Sequence, residues 1–336
     1  MKKQNSPEFD NLRREIKDNN IGKFYIFYGE ESYLLNSYID KIKKVILPDD
    51  INTIVFEGKA CDIKSLTIET ESYPFLSARK LIIIKDFDIL KPPADAADGF
   101  ITLFSNLPDY ICIIVVCEEF STAAKNKDIV AVVKKNARII PFFRQDENAL
   151  KVWSSKIFAA NNKQIGTKEL DYLIFVSGGL MFNLISEIKK LSAFAENESI
   201  SISDIDTIVT KVPDAVIFNL TDAIAEKKMK LALSLLNDLF EMRTNSIMML
   251  SAIARTMRQI YIAKLCEKNG FSIDFFKSVS GISHSFIAQK TIQTACKLNE
   301  NYLNFALTKI HETDFKLKST SIDDQRLMEA LVLNLL

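Results

Sequence analysis

Carboxylates that directly follow predicted strands are the residues of this sequence best placed to do chemistry. Asp86 comes after the apolar run Leu81–Ile84, and Glu118 and Glu119 come after the run Ile111–Val116. An acidic side chain at the carboxyl end of a strand can hold Mg²⁺ beside a triphosphate. Such a metal is of little use without a phosphate cradle nearby, so the alternative of solvated strand ends is favoured.

The loop after the first predicted strand is where that cradle would lie. A P-loop requires the pattern G-x-x-x-x-G-K-[ST], whose backbone N–H groups and lysine surround the phosphates. Here the loop reads Gly29-Glu30-Glu31-Ser32, with one glycine, no lysine and two carboxylates that would repel phosphates. We therefore predict that the chain does not bind ATP by this mechanism and uses no cofactor.

Other catalytic patterns are also missing from the sequence. There is no C-x-x-C pair, no G-x-S-x-G motif, and no metal-ligand spacing around the two histidines, His284 and His311. A lone histidine without an orienting partner is more often structural, and Cys112 and Cys117 fit best as small buried residues of an apolar run. We predict no catalytic residue and no metal site.

Composition places the chain among ordinary globular proteins. It has 336 residues, 43 Lys+Arg against 43 Asp+Glu, and 48% hydrophobic residues. This length predicts two or three domains, and the hydrophobicity excludes a disordered chain. The balanced charge argues against strong nucleic-acid binding by this chain alone, although a few phosphate contacts within a larger assembly stay open. No apolar run could span a membrane and the first residues have no signal-peptide core, so a cytoplasmic protein is expected.

Residues 20–142 alternate between strand-like and helix-like segments. The strand-like runs are continuously apolar, which is typical of strands buried on both faces. Alternation of this kind predicts an α/β domain with a parallel sheet covered by helices. The strand-like runs are 24–28, 53–56, 81–84, 111–116 and 138–140, the helical segments are about 31–46, 62–72, 98–107 and 123–136, and a loop is predicted over 91–99.

Beyond residue 143 the pattern is helical. Apolar residues recur at spacings of three and four in 180–196 and 246–262, which indicates amphipathic helices. Pro213 and Asp214 indicate the start of a new helix. We therefore predict an α/β domain over 1–142, a small helical domain over 143–211 and a larger helical domain over 212–336.

One connection carries an unusual number of large apolar residues. Glu71–Arg79 joins a predicted helix to the strand at Leu81 and contains Tyr73, Phe75 and Leu76 around Pro74. On sequence alone the favoured interpretation is that these side chains cap the core beneath the sheet. The other is an exposed apolar plug that fills a pocket on a partner.

Six stretches in this order resemble the delta-subunit family of bacterial DNA polymerase III, the clamp-loader subunits that open the sliding clamp. The match rests on their order and spacing over about 300 residues, because each motif is weak alone. The stretches are Tyr28–Leu34, Tyr73–Leu81, Asn183–Ala193, Ile217–Ala225, Arg255–Arg258 and Asp314–Ser319.

The resemblance implies an AAA+-like fold. Residues 1–142 would be a RecA-type parallel-sheet domain without a P-loop, 143–211 a helical lid, and 212–336 a helical collar that joins subunits into a ring of five. It implies binding and opening of the beta sliding clamp, for loading onto primed DNA during replication. It further implies partner subunits of the gamma/tau and delta-prime type contacted through the C-terminal domain, contact with primed DNA only within the assembly, and no membrane.

The same resemblance assigns the clamp-binding element to Tyr73, Pro74, Phe75 and Leu76. The apolar pair Phe75 and Leu76 matches the family, whereas Pro74 and Glu71 stand where some members have Ser and Gln. The chain would have no catalytic site of its own, yet would belong to a nucleotidyltransferase holoenzyme, a DNA-directed DNA polymerase. An active AAA+ ATPase of DNA metabolism is the alternative, disfavoured by the missing Walker A motif. A scaffold unrelated to replication is a third possibility.

Overall fold

Five short apolar runs form one parallel sheet at the centre of the N-terminal half. The computed structural model describes residues 7–47, 50–58, 61–121, 126–282 and 284–336. The strand order is β2-β3-β4-β1-β5, and every neighbouring pair is parallel. The strands are β1 Phe24–Tyr28, β2 Thr53–Glu57, β3 Lys80–Lys85, β4 Ile111–Cys117 and β5 Arg138–Pro141.

Helices cover both faces of this sheet. Alternate residues of β1 enter different cores: Phe24 packs with Phe104 on one face, and Phe27 packs with Phe142 on the other. This two-sided burial explains the continuous apolar runs and confirms the predicted α/β class. The helices are α1 Pro7–Lys17, α2 Ser32–Ile46, α3 Ile63–Glu71, α4 Ala97–Ser105 and α5 Lys127–Asn136.

The predicted loop over 91–99 is wrong at its end, because α4 begins at Ala97. Gly99 lies inside this helix, and a Cβ at that position would come within 2.7 Å of the Ile63 side chain. The glycine therefore permits close packing of α4 on α3 and does not break the helix. Residues 123–125 of another predicted helix lie outside the described residues.

The chain divides into two compact units, Met1–Asp146 and Glu147–Leu336. The second unit is helical, as predicted, except for two-residue strands that pair in parallel, β6 Gln164–Ile165 and β7 Ser199–Ile200. Runs this short leave no periodic signal in a sequence. The helices are α6 Glu147–Ala160, α7 Thr167–Val176, α8 Met181–Phe194, α9 Ile202–Ile208, α10 Pro213–Ala225, α11 Met229–Glu241, α12 Ser246–Lys268, α13 Ile273–Ser280, α14 Ser285–Lys297, α15 Glu300–Ser319 and α16 Asp324–Leu335.

Pro213 is the first residue of α10, a position where its missing N–H has no helical partner to lose. The division of the second unit at residue 212 into a lid and a collar stays a prediction. Among the described residues, no helix combines the length and the apolar character that crossing a membrane demands.

Candidate functional site

The connection between α3 and β3, residues 72–79, is hereafter called the plug loop. Its apolar side chains point outward: Tyr73 is 82% exposed, Phe75 63% and Leu76 84%, while Pro74 is half-buried. The interpretation that these residues cap the core beneath the sheet is therefore wrong. The core is complete without them, because the strands and α3 and α4 fill it with their own side chains.

Arg79 anchors the end of the plug loop. Its Nη1 donates to the carbonyl oxygen of Ile21 at 2.6 Å, and its Nη2 donates to those of Gly22 and Ile111 at 2.8 and 3.1 Å. These carbonyls lie at or just before the start of β1 and β4. A guanidinium group offers several donors in a fixed geometry, so this one side chain joins the loop to the amino-terminal ends of two central strands.

Lys80, the next residue, ties the loop to α3. Its side chain is almost fully buried, and its Nζ donates to the carbonyl oxygen and to Oε2 of Glu69, at 2.8 and 2.5 Å. The same Nζ donates to Oγ of Ser72 at 2.6 Å. A buried ammonium group needs this many acceptors, and here the acceptors are the end of α3 and the first residue of the plug loop.

The middle of the loop is held from below. Asn52 is 4% exposed, and its side-chain Nδ2 donates to the carbonyl oxygen of Phe75 while its Oδ1 accepts from the Phe75 N–H, each at 2.7 Å. The ring of Tyr73 lies against that of Tyr110, with centroids 4.9 Å apart, and Tyr110 Oη donates to the carbonyl oxygen of Glu71 at 3.2 Å. The loop is thus an apolar tip on a polar, hydrogen-bonded base, which suits binding rather than catalysis.

These anchors were not found by sequence reasoning. Asn52 is 23 residues from Phe75, and Tyr110 is 39 residues from Glu71. Contacts between such distant positions leave no periodicity or motif in a single sequence. The only available signal was Arg79-Lys80, two basic residues immediately before an apolar strand.

The loop between β1 and α2 occupies the place of a phosphate cradle, but its amide groups donate within the chain. The N–H of Gly29 donates to the Cys117 carbonyl at 3.2 Å, and that of Glu31 donates to the Phe142 carbonyl at 3.0 Å. The Ser32 N–H donates to the Glu30 carbonyl, also at 3.0 Å. A phosphate would need these groups free and pointing into one space.

Acidic residues that follow strands come together at the carboxyl edge of the sheet. Asp86, Glu118 and Glu119 all line one cleft of about 440 Å³, together with Asp88 and Lys91. Lys91 Nζ lies 3.1 Å from an Asp88 oxygen, so part of the negative charge is compensated. Among the described residues, no set of three His, Cys, Asp or Glu side chains is arranged to hold a metal ion.

Two cysteines and two histidines were singled out from the sequence, and the structure describes all four. Burial raises the pKa of Cys112 to about 12, and burial likewise raises the pKa of Cys117 to about 11, so both stay protonated at neutral pH. Cys112 is buried as predicted, whereas Cys117 is only half-buried. His284 Nδ1 lies 3.8 Å from Oε2 of Glu147 in the second unit, and His311 lines a surface groove beside Arg258.

Two family models match the chain. The model described as "DNA polymerase III, delta subunit" matches residues 25–143, and that described as "DNA polymerase III delta subunit, C-terminal domain" matches residues 214–335. The plug loop lies within the first match. The two matches together account for most of the sequence.

Individual relatives agree with these models. DNA polymerase III subunit delta of Bacillus subtilis (strain 168) is 22% identical over 332 residues, which is 96% of this chain and 95% of the relative. A probable DNA polymerase III subunit delta of Aquifex aeolicus (strain VF5) is 20% identical over 80% of this chain and 78% of its own length. The solved structure titled Bacillus subtilis DNA clamp loader delta protein shares the fold, with a TM-score of 0.51 and 21% identity over 97% of this chain and 98% of that one.

Proposed function

This chain belongs to the delta-subunit family of DNA polymerase III, and from that premise we propose that its plug loop binds the beta sliding clamp and favours the opened ring. The observation that carries the proposal is the exposure of Phe75 and Leu76 on an anchored loop. Two adjacent large apolar side chains held in water have an unfavourable hydration free energy that an apolar pocket would remove.

The size of the expected effect follows from burial. Transferring each side chain from water into a pocket is worth roughly 1.5–3 kcal/mol. Because the base of the loop is already fixed by hydrogen bonds, little conformational entropy is lost when the tip is bound. Tyr73 and Pro74 complete the proposed contact at the rim, where an aromatic ring and a proline add area with few rotatable bonds.

A preference for the open ring requires a difference in affinity. A ligand shifts a two-state equilibrium only by binding one state more tightly than the other. We propose that the pocket for Phe75 and Leu76 accommodates the pair better when the adjacent clamp interface is open. The plug then opens the ring with binding energy alone.

We further propose that this subunit is mechanical and not catalytic. Its family places it in the DNA polymerase III holoenzyme, a nucleotidyltransferase, without requiring a reaction centre in this chain. ATP binding and hydrolysis on neighbouring subunits would expose or withdraw the plug loop. The amides of Gly29, Glu31 and Ser32, which donate to carbonyls of this chain, support this division of labour.

The partners proposed for the second unit are the gamma/tau and delta-prime type subunits, through a collar over 212–336. The support is a set of large apolar side chains that stay exposed on its helices, which is typical of an interface. They include Leu231, Met248, Phe315 and Leu333. Residues 143–211 would form the lid. We place the protein in the cytoplasm with the replication machinery, on primed DNA only within the assembly.

The test is the double variant Phe75→Ala with Leu76→Ala. We expect affinity for the purified sliding clamp to fall on the order of a hundredfold or more, measured by calorimetry or surface plasmon resonance. Thermal unfolding should stay within a few degrees of the parent, because neither side chain supports the core.

A control removes two exposed apolar side chains that lie in the second unit. Val152 is 57% exposed and Phe182 60%, so Val152→Ala with Phe182→Ala also removes an exposed apolar pair, of somewhat smaller area than Phe75 and Leu76. Clamp affinity should be unchanged in this control. A plug variant that retains parental affinity for the clamp would remove the basis of the proposal.

A further inference from the structure

Asn52 lies beneath the plug loop, and we infer that it is the positioning residue that keeps the apolar tip in its binding conformation. The inference rests on the proposed function of the loop. Asn52 is 4% exposed, so its side chain offers a partner almost no surface for direct contact. Its influence on binding must therefore pass through Phe75, whose backbone it holds.

The two hydrogen bonds pair the Asn52 side-chain amide with the main chain of Phe75 through one donor and one acceptor. A side-chain amide has an acceptor oxygen and a donor nitrogen, as a peptide group does. Asn52 satisfies both backbone groups of Phe75, at 2.7 Å each, while Phe75 as a whole residue remains 63% exposed. The residue that presents the apolar ring is thus fixed by its main chain and left free at its side chain.

Asn52 is itself fixed by the sheet. It directly precedes β2, and its carbonyl oxygen accepts from the N–H of Leu81 in β3 at 2.9 Å. The next residue, Thr53, is the register partner of Leu81. The pairing of β2 with β3 therefore sets the position of the Asn52 side chain, and through it the position of the loop.

Leu76 shows why this support matters. Its φ angle is +50°, in the left-handed region that a leucine rarely adopts. Such a conformation persists only where the surrounding structure holds it. Asn52 fixes the residue immediately before Leu76. Without it, the loop can relax to ordinary backbone angles, and the side chains of Phe75 and Leu76 then point in different relative directions.

A relaxed loop binds more weakly even with its apolar residues intact. When only a fraction of molecules has the competent conformation, the apparent affinity falls by that fraction. Two variants separate the contributions of the two hydrogen bonds between Asn52 and Phe75. Asn52→Ala removes both hydrogen bonds, whereas Asn52→Asp keeps the acceptor for the Phe75 N–H but places a carboxylate oxygen against the Phe75 carbonyl oxygen.

The experiment measures binding of the full chain to the sliding clamp by surface plasmon resonance. Both Asn52 variants should bind roughly 5–100-fold more weakly, the equivalent of losing one or two buried hydrogen bonds. Hydrogen exchange of the Phe75 amide should accelerate in Asn52→Ala, and less in Asn52→Asp, which keeps the acceptor for that N–H. Should Asn52→Ala fail to fold, Asn52→Asp, which preserves side-chain size, still supplies the loss of clamp affinity.

The matched control is Asn126→Ala in the same unit. The Asn126 side chain also makes two hydrogen bonds to backbone, accepting from the N–H groups of Asp128 and Ile129 at 3.1 and 3.3 Å. It caps α5 and does not touch the plug loop. This variant should lower thermal stability yet leave clamp affinity and exchange at Phe75 unchanged. Such a result would show that lower stability alone does not explain the weaker binding of the Asn52 variants.

Combining variants separates this inference from the proposed function. Adding Asn52→Ala to Phe75→Ala/Leu76→Ala should cause no further loss of clamp affinity, because the groups that Asn52 positions are gone. Parental clamp binding by both Asn52 variants, or a loss that simply adds to that of the plug variant, would overturn the inference. Parental binding by the plug variant itself would instead overturn the proposed function.

Discussion

Gly29 decides what the loop after β1 can do. Its φ angle is +129°, and a Cβ at that position would lie 2.2 Å from the carbonyl oxygen of Phe142. The glycine is therefore needed to let the chain after β5 pass directly over this loop. In that arrangement the N–H of Glu31 donates to the same Phe142 carbonyl. In other folds a glycine at this place leaves room for a phosphate. Here Gly29 instead lets the backbone at Phe142 occupy that room.

We expect the isolated chain to show no ATP binding, even at millimolar nucleotide with Mg²⁺ present. Three loop amides are already used, and the carboxylate of Glu30 pairs with Arg144 at 2.9 Å at the mouth of the loop. Isothermal titration calorimetry would give only heats of dilution. Saturable binding with micromolar affinity would show that the loop rearranges to admit phosphate, contrary to this prediction.

The residues of the candidate site differ in how far the sequence could reveal them. Phe75 and Leu76 were recognisable, because large apolar side chains in a proline-containing connection are unusual and match a family pattern. Whether they were buried or exposed could not be decided, since that depends on what lies underneath. Asn52 could not be found at all, because its role depends on the register of β2 against β3 and not on its neighbours in the chain.

At the scale of elements, the strands of the first unit and the starts of α2, α3 and α4 were predicted closely. Strands buried on both faces consist of uninterrupted apolar runs, so β1 and β4 could be predicted directly from the order of residues in the sequence. The helix predicted over about 98–107 begins within one residue of α4, but the predicted loop over 91–99 ran past that start because Gly99 looked like a helix breaker. A glycine is present at position 99 because Ile63 of α3 packs closely there. This tertiary contact cannot be inferred from neighbouring residues in the sequence.

Helix α14 contacts two groups of helices within the second unit, α6 and α7 on one hand and α10 and α12 on the other. Phe286, in its first turn, packs against the rings of Tyr172 and Phe175 of α7, with centroids 5.9 Å from each. The N–H of Ser285 donates to Oε2 of Glu147, the first residue of α6, at 3.2 Å. The apolar rings and this helix N-terminus hold α14 against α6 and α7, so the second unit should unfold as one body.

We predict that Phe286→Ala lowers the free energy of unfolding of the second unit by about 1–3 kcal/mol, less than for a fully buried phenylalanine. Because α14 contacts both groups of helices, hydrogen exchange should increase in α7 as well as in α14. Phe315→Ala, at a side chain 68% exposed on α15, is the control and should change stability by less than about 0.5 kcal/mol. Exchange that increases in α14 alone would mean that the two groups unfold separately.

At the scale of the whole molecule, the division into Met1–Asp146 and Glu147–Leu336 separates two tasks. The plug loop and all residues that anchor it lie in the first unit. The exposed apolar helix faces proposed to meet other subunits lie in the second. A cut at residue 212 would instead divide the second unit, because Phe175 packs edge-on against Phe218 of α10, with ring centroids 5.4 Å apart.

The last prediction follows from that division. A fragment of residues 1–146 should fold cooperatively and bind the sliding clamp within about threefold of the full chain, a difference below 1 kcal/mol, because its plug loop and anchors are complete. It should not co-purify with the other loader subunits.

A fragment of residues 1–211 is the comparison. It keeps α6 to α9 but removes Phe218 and Phe286, so it should expose Phe175, bind the dye ANS and aggregate. If residues 1–146 fold but do not bind the clamp while the full chain does, then the second unit supplies part of the contact. The assignment of clamp binding to the plug loop alone would then be wrong.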